Sequence, residues 1–399
     1  MMYEEEKMKI LSVNCGSSSL KFQMYEMPEE KVLISGVFER IGSQNSFYTV
    51  KFNGEKIKKE TEILEHSKAV EILIEELFNY NVVVNLDEIK AVGHRVVHGG
   101  DKYAQSTVIT DEVMETIEEL IPLAPLHNPA NLMGIKAFKE NIPNAMSVAV
   151  FDTAFPQTMP MESFLYGVPY EWYTDYKVRR YGFHGISHDY VTDTMKQELG
   201  KEEVNLITCH LGNGSSIFAI KDSKCYNSSL GFSPNSGLMM GTRCGDVDTF
   251  IIPYVMKQSG KSFEEVMDIL NKQSGLLGVS GVSSDSRDIE DGIKDGNERC
   301  ILAQKLFVQR VCEYIVKFWY QLGRVDAICF AGGIGENSIM TRKQIIDNLK
   351  QLGVKLDESA NDVRGEFRLI TSDDSTIPCY IIPTDEEVMI ARDTYEFAK

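Results

Sequence analysis

Two small-residue turns, about half a chain apart, constrain the fold of this sequence more than any other feature. The first lies in ILSVNCGSSSLKFQMYE, residues 10–26, where apolar and polar residues alternate on both sides of it. The second lies in VNLITCHLGNGSSIFAIKD, residues 204–222, again between two strand-like stretches. Alternation with a period of two around a tight turn predicts a β-hairpin. Two such hairpins favour a duplicated domain, and a chance match of two hairpins is the alternative.

The first turn, with Lys21 close behind it, raises the question of a phosphate-binding P-loop. The pattern G-x-x-x-x-G-K-[ST] is absent, because Gly16 is the single glycine and Phe22 follows the lysine. The alternating flanks also disagree with the loop-to-helix junction of a P-loop. If this turn binds phosphate, it does so as a strand–turn–strand loop.

Length and composition predict a soluble protein of two α/β domains in the cytoplasm. The chain has 399 residues, and strand-like stretches alternate with helical ones. A net charge of −18 argues against nucleic acid or a membrane as a partner, since both require a basic surface. No signal peptide or membrane-spanning run is recognisable. Eight cysteines without a C-x-x-C pair indicate reduced thiols, most of them buried.

Several helices and one strand are recognisable from their end signals. Ser262-x-x-Glu265 predicts a capping box at a helix start, and Gly275 is expected to end that helix. Residues 299–322 form the longest predicted helix, which is apolar on several faces and is therefore expected to be deeply buried. VDAICFAGGIGENS, residues 325–338, predicts a buried strand, a glycine loop and a helix.

Six of the seven histidines lie in segments rich in Gly, Asn, Asp or Arg, which favours a functional role for at least one of them. The metalloprotease pattern H-E-x-x-H and the hydrolase pattern G-x-S-x-G are both absent. The segments with candidate chemistry are VGHRVVHGGDKY (92–103), LAPLHNPANL (123–132), VFDTAFPQTMP (150–160), RRYGFHGISHDYV (179–191), LMMGTRCGDVD (238–248), AGGIGENS (331–338) and PTDEEVMIARD (383–393).

In this order the segments resemble the acetokinase family, which belongs to the superfamily of actin, sugar kinases and heat-shock ATPases. The resemblance runs from Ile10 to about Arg392, and N-x-G-S-S-S-L-K and G-F-H-G-x-S-H are its most specific motifs. It implies duplicated ribonuclease-H-like domains of the actin-like ATPase type, with the active site in a cleft between them. Residues 1–150 would form the first domain and 151–385 the nucleotide-binding second, with a helix at about 386–399 packing back on the first. A homodimer is also implied.

The resemblance implies reversible, in-line transfer of the ATP γ-phosphate to acetate, giving acetyl phosphate and ADP. Acetate is already an anion at neutral pH and needs no general base, so the site must chiefly neutralise charge. Mg²⁺ is the expected cofactor, and Mn²⁺ is an alternative. Propionate as the acceptor, pyrophosphate as the donor and a non-enzymatic actin-like nucleotide switch remain alternatives.

The same resemblance implies the role of each site residue. Asp152, His184, Arg243 and Arg95 would be catalytic, with His184 and Arg243 stabilising the transition state. Acetate would contact Arg95, Val97, Leu126, Phe183 and Pro234, and the metal would contact Asn14 and Glu386. Nucleotide binding is assigned to Ser19, Lys21, His210, Leu211, Gly212, Asn213, Gly214, Asp285, Arg287, Gly333, Ile334, Gly335 and Asn337.

Several positions depart from the family pattern, among them Asn227, where Asp is common. Asp385 stands where the family usually has Asn, and Thr249 stands where it usually has Pro. FSPNSG, residues 232–237, replaces a more usual T-P-L-E-G, and its Asn235 and Ser236 lie just after Pro234, the acyl-pocket proline. This last departure leaves the preferred acyl chain length open.

Overall fold

The computed structural model describes residues 6–399, which form two sheets with helices around them. The strands are β1 Met8–Gly16, β2 Ser19–Met27, β3 Lys31–Glu39, β4 Phe47–Phe52, β5 Glu55–Glu60, β6 Ile89–Val96, β7 Thr107–Val108, β8 Met146–Phe151, β9 Leu206–Leu211, β10 Ser215–Lys221, β11 Lys224–Ser228, β12 Ala327–Ala331, β13 Arg368–Leu369 and β14 Cys379–Ile381.

None of the described helices is long and apolar enough to cross a membrane. The helices are α1 His66–Asn79, α2 Asp111–Glu119, α3 Asn128–Asn141, α4 Met161–Phe164, α5 Tyr170–Tyr176, α6 Gly185–Leu199, α7 Ile251–Ser259, α8 Phe263–Lys272, α9 Gly275–Ser280, α10 Ser286–Lys294, α11 Glu298–Leu322, α12 Gly332–Asn337, α13 Ile339–Asn348, α14 Glu358–Asn361 and α15 Glu386–Ala398.

Two compact units divide the chain. The first extends to Phe155 and also contains Asp385–Lys399, whereas the second is Pro156–Thr384. The C-terminal helix α15 belongs to the first unit because it packs on β1 and β6. Glycine is required at this contact, since a Cβ on Gly93 of β6 would lie 2.1 Å from the Thr394 hydroxyl.

The sheet of the first unit has the strand order β5-β4-β3-β2-β1-β6-β8-β7. β1 and β2 are antiparallel, and Gly16 pairs with Ser19, so that two serines form the turn. β6 is parallel to β1, and β8 is parallel to β6. The first predicted hairpin is therefore confirmed.

The sheet of the second unit has the order β11-β10-β9-β12-β14-β13. β9 and β10 are antiparallel, and Leu211 pairs with Ser215 at the turn, which confirms the second hairpin. β12 is parallel to β9 and β14 is parallel to β12. The run β11-β10-β9-β12-β14 thus repeats β3-β2-β1-β6-β8 in order and direction. This shared topology confirms the predicted duplication and the α/β class.

Helix α11 supplies much of the core of the second unit, and its predicted bounds are confirmed to within one residue. The expectation of burial on several faces is wrong in part, because Leu302, Val316 and Tyr320 are exposed. A helix that packs on one side of a sheet buries one stripe and leaves the other side in solvent.

The predicted capping box of α8 is confirmed, because Ser262 and Glu265 each accept a backbone N–H of the other. The predicted end is wrong, since α8 stops at Lys272 and Gly275 begins α9. Gly275 has φ +63°, and an added Cβ would lie 2.1 Å from the Met240 carbonyl oxygen. This glycine serves a close backbone approach and not a helix end.

Candidate active site

The tip of the β1–β2 hairpin is held by two side chains from helices of the same unit. Asn131 Nδ2 donates to the carbonyl oxygen of Cys15 at 2.9 Å, and His66 Nε2 lies 2.8 Å from that of Gly16. Asn131 Oδ1 also accepts the backbone N–H of Val97 at 3.1 Å. Asn131 therefore holds both the tip of the β1–β2 hairpin and the segment just after β6.

Arg95, near the end of β6, is the centre of a charged cluster. Its Nη2 donates to Asp152 Oδ2, just after β8, and its Nη1 donates to Asn14 Oδ1 at 3.4 Å. Its Nε lies 3.8 Å from Glu386 Oε2, at the start of α15. β1, β6 and β8 are parallel, so their carboxyl ends lie at one sheet edge. Four residues predicted to be catalytic or metal-binding thus meet.

The cluster carries an excess of negative charge. Burial opposes the charge of Arg95, but Asp152 and Glu386 outweigh it and raise the pKa of the guanidinium above its ordinary value. Burial also raises the pKa of the Glu386 carboxyl to about 7, with Asp152 and Glu387 acting in the same direction. Asp152 Oδ1 is buried, and no hydrogen-bond partner for it exists among residues 6–399.

The donor atoms of this cluster fit Mg²⁺. The ion prefers oxygen ligands and usually takes one or two carboxylates, with water or phosphate completing its shell. Asn14 Oδ1, the unpartnered Asp152 Oδ1 and the Glu386 carboxylate are oxygens of this kind. In the described part of the chain no group of three His, Cys, Asp or Glu side chains is arranged around a metal position.

The two residues predicted on the phosphate side of the first hairpin lie on β2. Ser19 Oγ packs over the turn, since a Cβ on Gly16 would lie 2.8 Å from it. Lys21 Nζ lies 2.6 Å from Glu387 Oε1, so its charge faces the first turn of α15.

Arg243 and His184 both flank the turn of the second hairpin. A Cβ on Gly214 would lie 3.4 Å from Arg243 Nη1 and 3.5 Å from His184 Nε2. Arg243 Nη1 donates to the carbonyl oxygen of Pro234 at 3.2 Å. Burial lowers the pKa of this guanidinium, and no carboxylate within residues 6–399 forms an ion pair with it. Two predicted catalytic groups are therefore adjacent, and one of them is a partly buried cation without a carboxylate partner in the described chain.

His184 is held in a left-handed conformation at the start of α6, with φ 63° and ψ 28°. Residues with a Cβ seldom adopt this conformation, and such strain is common at functional sites. Its Nδ1 lies 2.9 Å from Ser216 Oγ, which leaves Nε2 on the side of Gly214. His188 Nε2 lies 2.7 Å from the same hydroxyl, and burial keeps the pKa of His188 well below its ordinary value.

His210 stands beside His184, with 4.5 Å between the ring centroids. Its Nδ1 lies 2.8 Å from Ser187 Oγ on α6. Because Ser187 and His184 come from F-H-G-x-S-H and His210 precedes the second turn, two predicted motifs meet here. The supporting hydroxyls of Ser187 and Ser216 were not among the predicted site residues, although both belong to quoted motifs.

A cavity of about 650 Å³ in the second unit collects many of the residues predicted to bind nucleotide. It lies where the second hairpin turn meets the starts of α10 and α12. Asp285 caps α10, because its Oδ1 accepts the N–H of Arg287 at 2.9 Å. The residues that line the cavity are Gly212, Asn213, Ser284, Asp285, Ser286, Arg287, Glu290, Gly333, Ile334, Asn337, Ser338 and Arg364.

Residues 9–392 match the acetokinase family. The chain belongs to the acetokinase family. An acetate kinase of Finegoldia magna is 52% identical over 394 residues, covering 98% of this chain and 100% of that relative. The crystal structure of Porphyromonas gingivalis acetate kinase has a TM-score of 0.93 and 45% identity, with 98% and 100% of the two chains covered. A Francisella tularensis propionate kinase has the same TM-score with 39% identity, with 98% and 99% covered.

Some nucleotide residues expected of an acetokinase-family member lie outside the lining of the cavity. Leu211 is in the hydrophobic core, and Gly335 is buried against Phe330. His210 and Gly214 belong instead to the cluster around His184. Prediction also missed lining residues, namely Ser284, Ser286, Glu290, Ser338 and Arg364. The serine-rich start of α10 is a sequence signal for some of them, whereas Arg364 lies in an irregular segment without one.

The four apolar residues expected at the acetate are divided between the units. Val97 and Leu126 belong to the first, and Leu126 is 59% exposed. Phe183 and Pro234 belong to the second. Next to Pro234, the family departures Asn235 and Ser236 each have a buried oxygen without a hydrogen-bond partner in the described chain.

Gly333 allows a test of the cavity as the nucleotide site. It lines the cavity, and a Cβ there would meet nothing within 4 Å. Gly333→Phe is therefore expected to fill the cavity and to weaken ADP binding at least about tenfold, with little change in unfolding free energy. Calorimetric titration with ADP and urea denaturation measure the two effects.

Gly332→Ala, at the neighbouring glycine, is the control for this substitution, because it shows the effect of backbone strain alone. Gly332 has φ +72°, and its Cβ would lie 2.9 Å from the Leu211 carbonyl oxygen. We expect a loss of about 1–3 kcal/mol in unfolding free energy from this backbone strain. Wild-type ADP affinity in Gly333→Phe would show that nucleotide does not bind in this cavity.

Proposed function

We propose that this protein catalyses reversible, in-line transfer of the γ-phosphate of ATP to acetate, giving acetyl phosphate and ADP. The observation that carries the proposal is Arg243, a partly buried guanidinium without a carboxylate partner in residues 6–399, beside His184 at the second hairpin turn. Acetate as the acceptor is supported by relatives described as acetate kinases at 50–52% identity.

Charge neutralisation is the task that we assign to these side chains. Acetate and the γ-phosphate repel each other, and the charge on the transferred group must be stabilised as the phosphoryl group moves. Arg243 carries an uncompensated positive charge, and His184 directs Nε2 toward the same turn. Arg95 is already paired with Asp152, so we assign it both acetate binding and the positioning of that carboxylate.

We assign metal binding to Asn14 and Glu386, with Asp152 next to them. Bound Mg²⁺ would neutralise phosphate oxygens, and Mn²⁺ has a similar preference for oxygen ligands. The excess of negative charge around Arg95 favours a divalent cation.

The cavity of the second unit supports ATP as the phosphate donor. Its volume of about 650 Å³ is within the range usual for small-molecule sites. Arg364 on its wall is a cation suited to an anionic ligand, whereas the Arg287 guanidinium is paired with Asp285. Pyrophosphate as the donor would leave such a cavity without an occupant.

Glu386→Gln tests the metal assignment. The change keeps the shape of the side chain and removes one oxygen ligand, so the Mg²⁺ concentration at half-maximal activity is expected to rise about 10–100-fold. Burial already disfavours the negative charge of Glu386. In the absence of metal, the unfolding free energy of Glu386→Gln is therefore expected to equal or exceed that of the wild type. Mn²⁺ titration followed by electron paramagnetic resonance measures binding without turnover. Glu387→Gln is the control, and equal Mn²⁺ affinity in Glu386→Gln and wild type would refute the assignment.

A coupled assay with Mg²⁺ tests the function itself. Acetate, propionate and butyrate are compared as acceptors, each with ATP or pyrophosphate as the donor. We expect the highest kcat/KM for acetate with ATP. Propionate kinase is the second candidate, favoured by the Francisella tularensis neighbour, and a higher kcat/KM for propionate would establish it. No phosphoryl transfer to any of the three acids would overturn the proposal.

We further propose a cytoplasmic, homodimeric enzyme. All eight cysteines are free, and six of them are buried, in keeping with a reducing compartment. The non-enzymatic nucleotide switch is disfavoured, because the relatives named above are kinases.

A further inference from the structure

His188 is a buried histidine that lies one helical turn after His184 on α6. It is 1% exposed, and its ring stacks on Phe218 of β10 with 3.8 Å between the ring centroids. Thr208 of β9 pairs directly with Phe218, and Ser216 precedes Phe218 by two residues on β10. These three side chains therefore face the same side of the sheet, which is the side that α6 covers.

Four side chains form one continuous hydrogen-bond network, which we call the His188 network. His188 Nδ1 lies 2.6 Å from Thr208 Oγ1, and His188 Nε2 lies 2.7 Å from Ser216 Oγ. The same Ser216 Oγ lies 2.9 Å from His184 Nδ1. Both hydroxyls are buried, and within residues 6–399 the ring nitrogens are their only hydrogen-bond partners. Each hydroxyl hydrogen must therefore be donated to an imidazole nitrogen.

The direction of the hydrogen bonds follows from the number of hydrogens in the network. Burial keeps the pKa of His188 well below its ordinary value, so its ring is neutral and carries a single N–H. The Thr208 hydroxyl donates to His188 Nδ1, and the ring proton of His188 is therefore on Nε2. This N–H donates to Ser216 Oγ, so the hydroxyl hydrogen of Ser216 is left to donate to His184 Nδ1.

A proton on His184 Nδ1 would leave a buried hydrogen without an acceptor. That proton would be donated to Ser216 Oγ, and the Ser216 hydrogen would then have to go to His188 Nε2. His188 would in turn donate from Nδ1 to Thr208, whose own hydrogen has no other acceptor in the described chain. An unpaired buried donor is costly, so both the Nδ1–H form and the doubly protonated form of His184 are disfavoured.

We propose that Thr208, His188 and Ser216 are positioning residues that hold His184 neutral, with its proton on Nε2. Nε2 lies at the second hairpin turn, 3.5 Å from where a Cβ on Gly214 would be. His184 then supplies a hydrogen bond to the transferred phosphoryl group, and Arg243 supplies the positive charge. This role in transfer rests on the proposed function, whereas the protonation of His184 rests on the network alone.

Nitrogen-15 NMR of ring-labelled histidine tests the protonation of His184 without turnover. Protonated and unprotonated ring nitrogens have distinct chemical shifts, and His184→Gln identifies the signals of this ring by their loss. In the wild type at neutral pH we expect a proton on Nε2 and none on Nδ1. A proton on Nδ1, alone or together with one on Nε2, overturns the proposal.

Ser216→Ala tests the link between the two rings. It removes the donor to His184 Nδ1, so we expect the shift of this nitrogen to move toward the value of a protonated one. Ser187→Ala is the matched control, because Ser187 is equally buried and bonds to the Nδ1 of His210 instead. It should leave the His184 signals as in the wild type. Unchanged His184 shifts in Ser216→Ala overturn the proposal.

Two substitutions of His188 separate hydrogen bonding from packing. The amide of His188→Gln keeps an N–H donor for Ser216, whereas the side chain of His188→Leu has none. In His188→Leu we expect kcat to fall at least about tenfold while the KM values stay within about threefold, because the donor acts on the transferred group. In His188→Gln kcat should stay within about threefold of the wild type.

Equal loss of kcat in the two folded His188 variants would show that His188 only fills space, and it would overturn the positioning role. Urea denaturation establishes that the variants are folded. If His188→Leu does not fold, the wild-type spectrum and Ser216→Ala still decide the proposal. Because the NMR experiment needs no substrate, a wild type with the proton on Nε2 but without kinase activity would count against the proposed function alone.

Discussion

Replacing Arg243 with alanine is expected to reduce kcat by about 10³–10⁵-fold, as the loss of a transition-state arginine does in comparable phosphoryl transfers. The reason is that no carboxylate within residues 6–399 neutralises the Arg243 guanidinium. Its positive charge is therefore available to the transferred phosphoryl group. The same feature predicts little loss of stability, because no carboxylate is left unpaired. Steady-state kinetics and urea denaturation of one preparation measure both quantities.

Two further variants make the Arg243 result interpretable. Arg243→Lys keeps a positive charge but lacks the planar guanidinium with its several N–H donors. Its kcat should therefore lie between those of the wild type and Arg243→Ala. Arg310→Ala, on the exposed side of α11, removes an arginine paired with Glu313 and should leave kcat unchanged. If Arg243→Ala retained kcat within tenfold of the wild type, charge neutralisation by this residue would be the wrong account.

Arg95→Ala is expected to damage both stability and catalysis. The guanidinium pairs with Asp152, whose side chain is 1% exposed, and lies 3.8 Å from the Glu386 carboxylate. Removing one partner of a buried ion pair typically costs about 3–5 kcal/mol, because the other charge stays buried. We therefore expect a loss of this size in the free energy of unfolding, measured in urea with a chelator present.

The double variant Arg95→Ala/Asp152→Asn separates the two effects. Neutralising Asp152 removes the uncompensated charge, so more than half of the lost stability should return. Activity should not return, because the cation beside Asn14 and Glu386 is still missing and the Asp152 carboxylate, also predicted to be catalytic, has been neutralised. A single Arg95→Ala variant as stable as the wild type would contradict the buried pair, and an active double variant would exclude a catalytic role for Arg95.

The fold could be predicted from local patterns to a large extent. Both hairpins were recognisable because alternation around a tight turn is a property of about fifteen consecutive residues. Helix α11 was recognisable because a long stretch of apolar residues at helical spacing ends at a glycine. The end of α8 could not be predicted, because Gly275 is required by the carbonyl oxygen of Met240, which lies far from it in sequence. The exposed side of α11 was missed for a similar reason, since sequence does not tell which apolar face finds a partner.

The sequence by itself determined the family, the duplicated topology and the residue types of the site, because each is carried by a short segment or by the order of segments. Only the tertiary structure decided which of those residues meet: Arg95 with Asp152, Asn14 and Glu386 in one unit, and Arg243 with His184 in the other. It also decided that Arg95 has counter-ions while Arg243 has none among residues 6–399. Burial and pairing depend on contacts between residues distant in sequence, which no local pattern encodes.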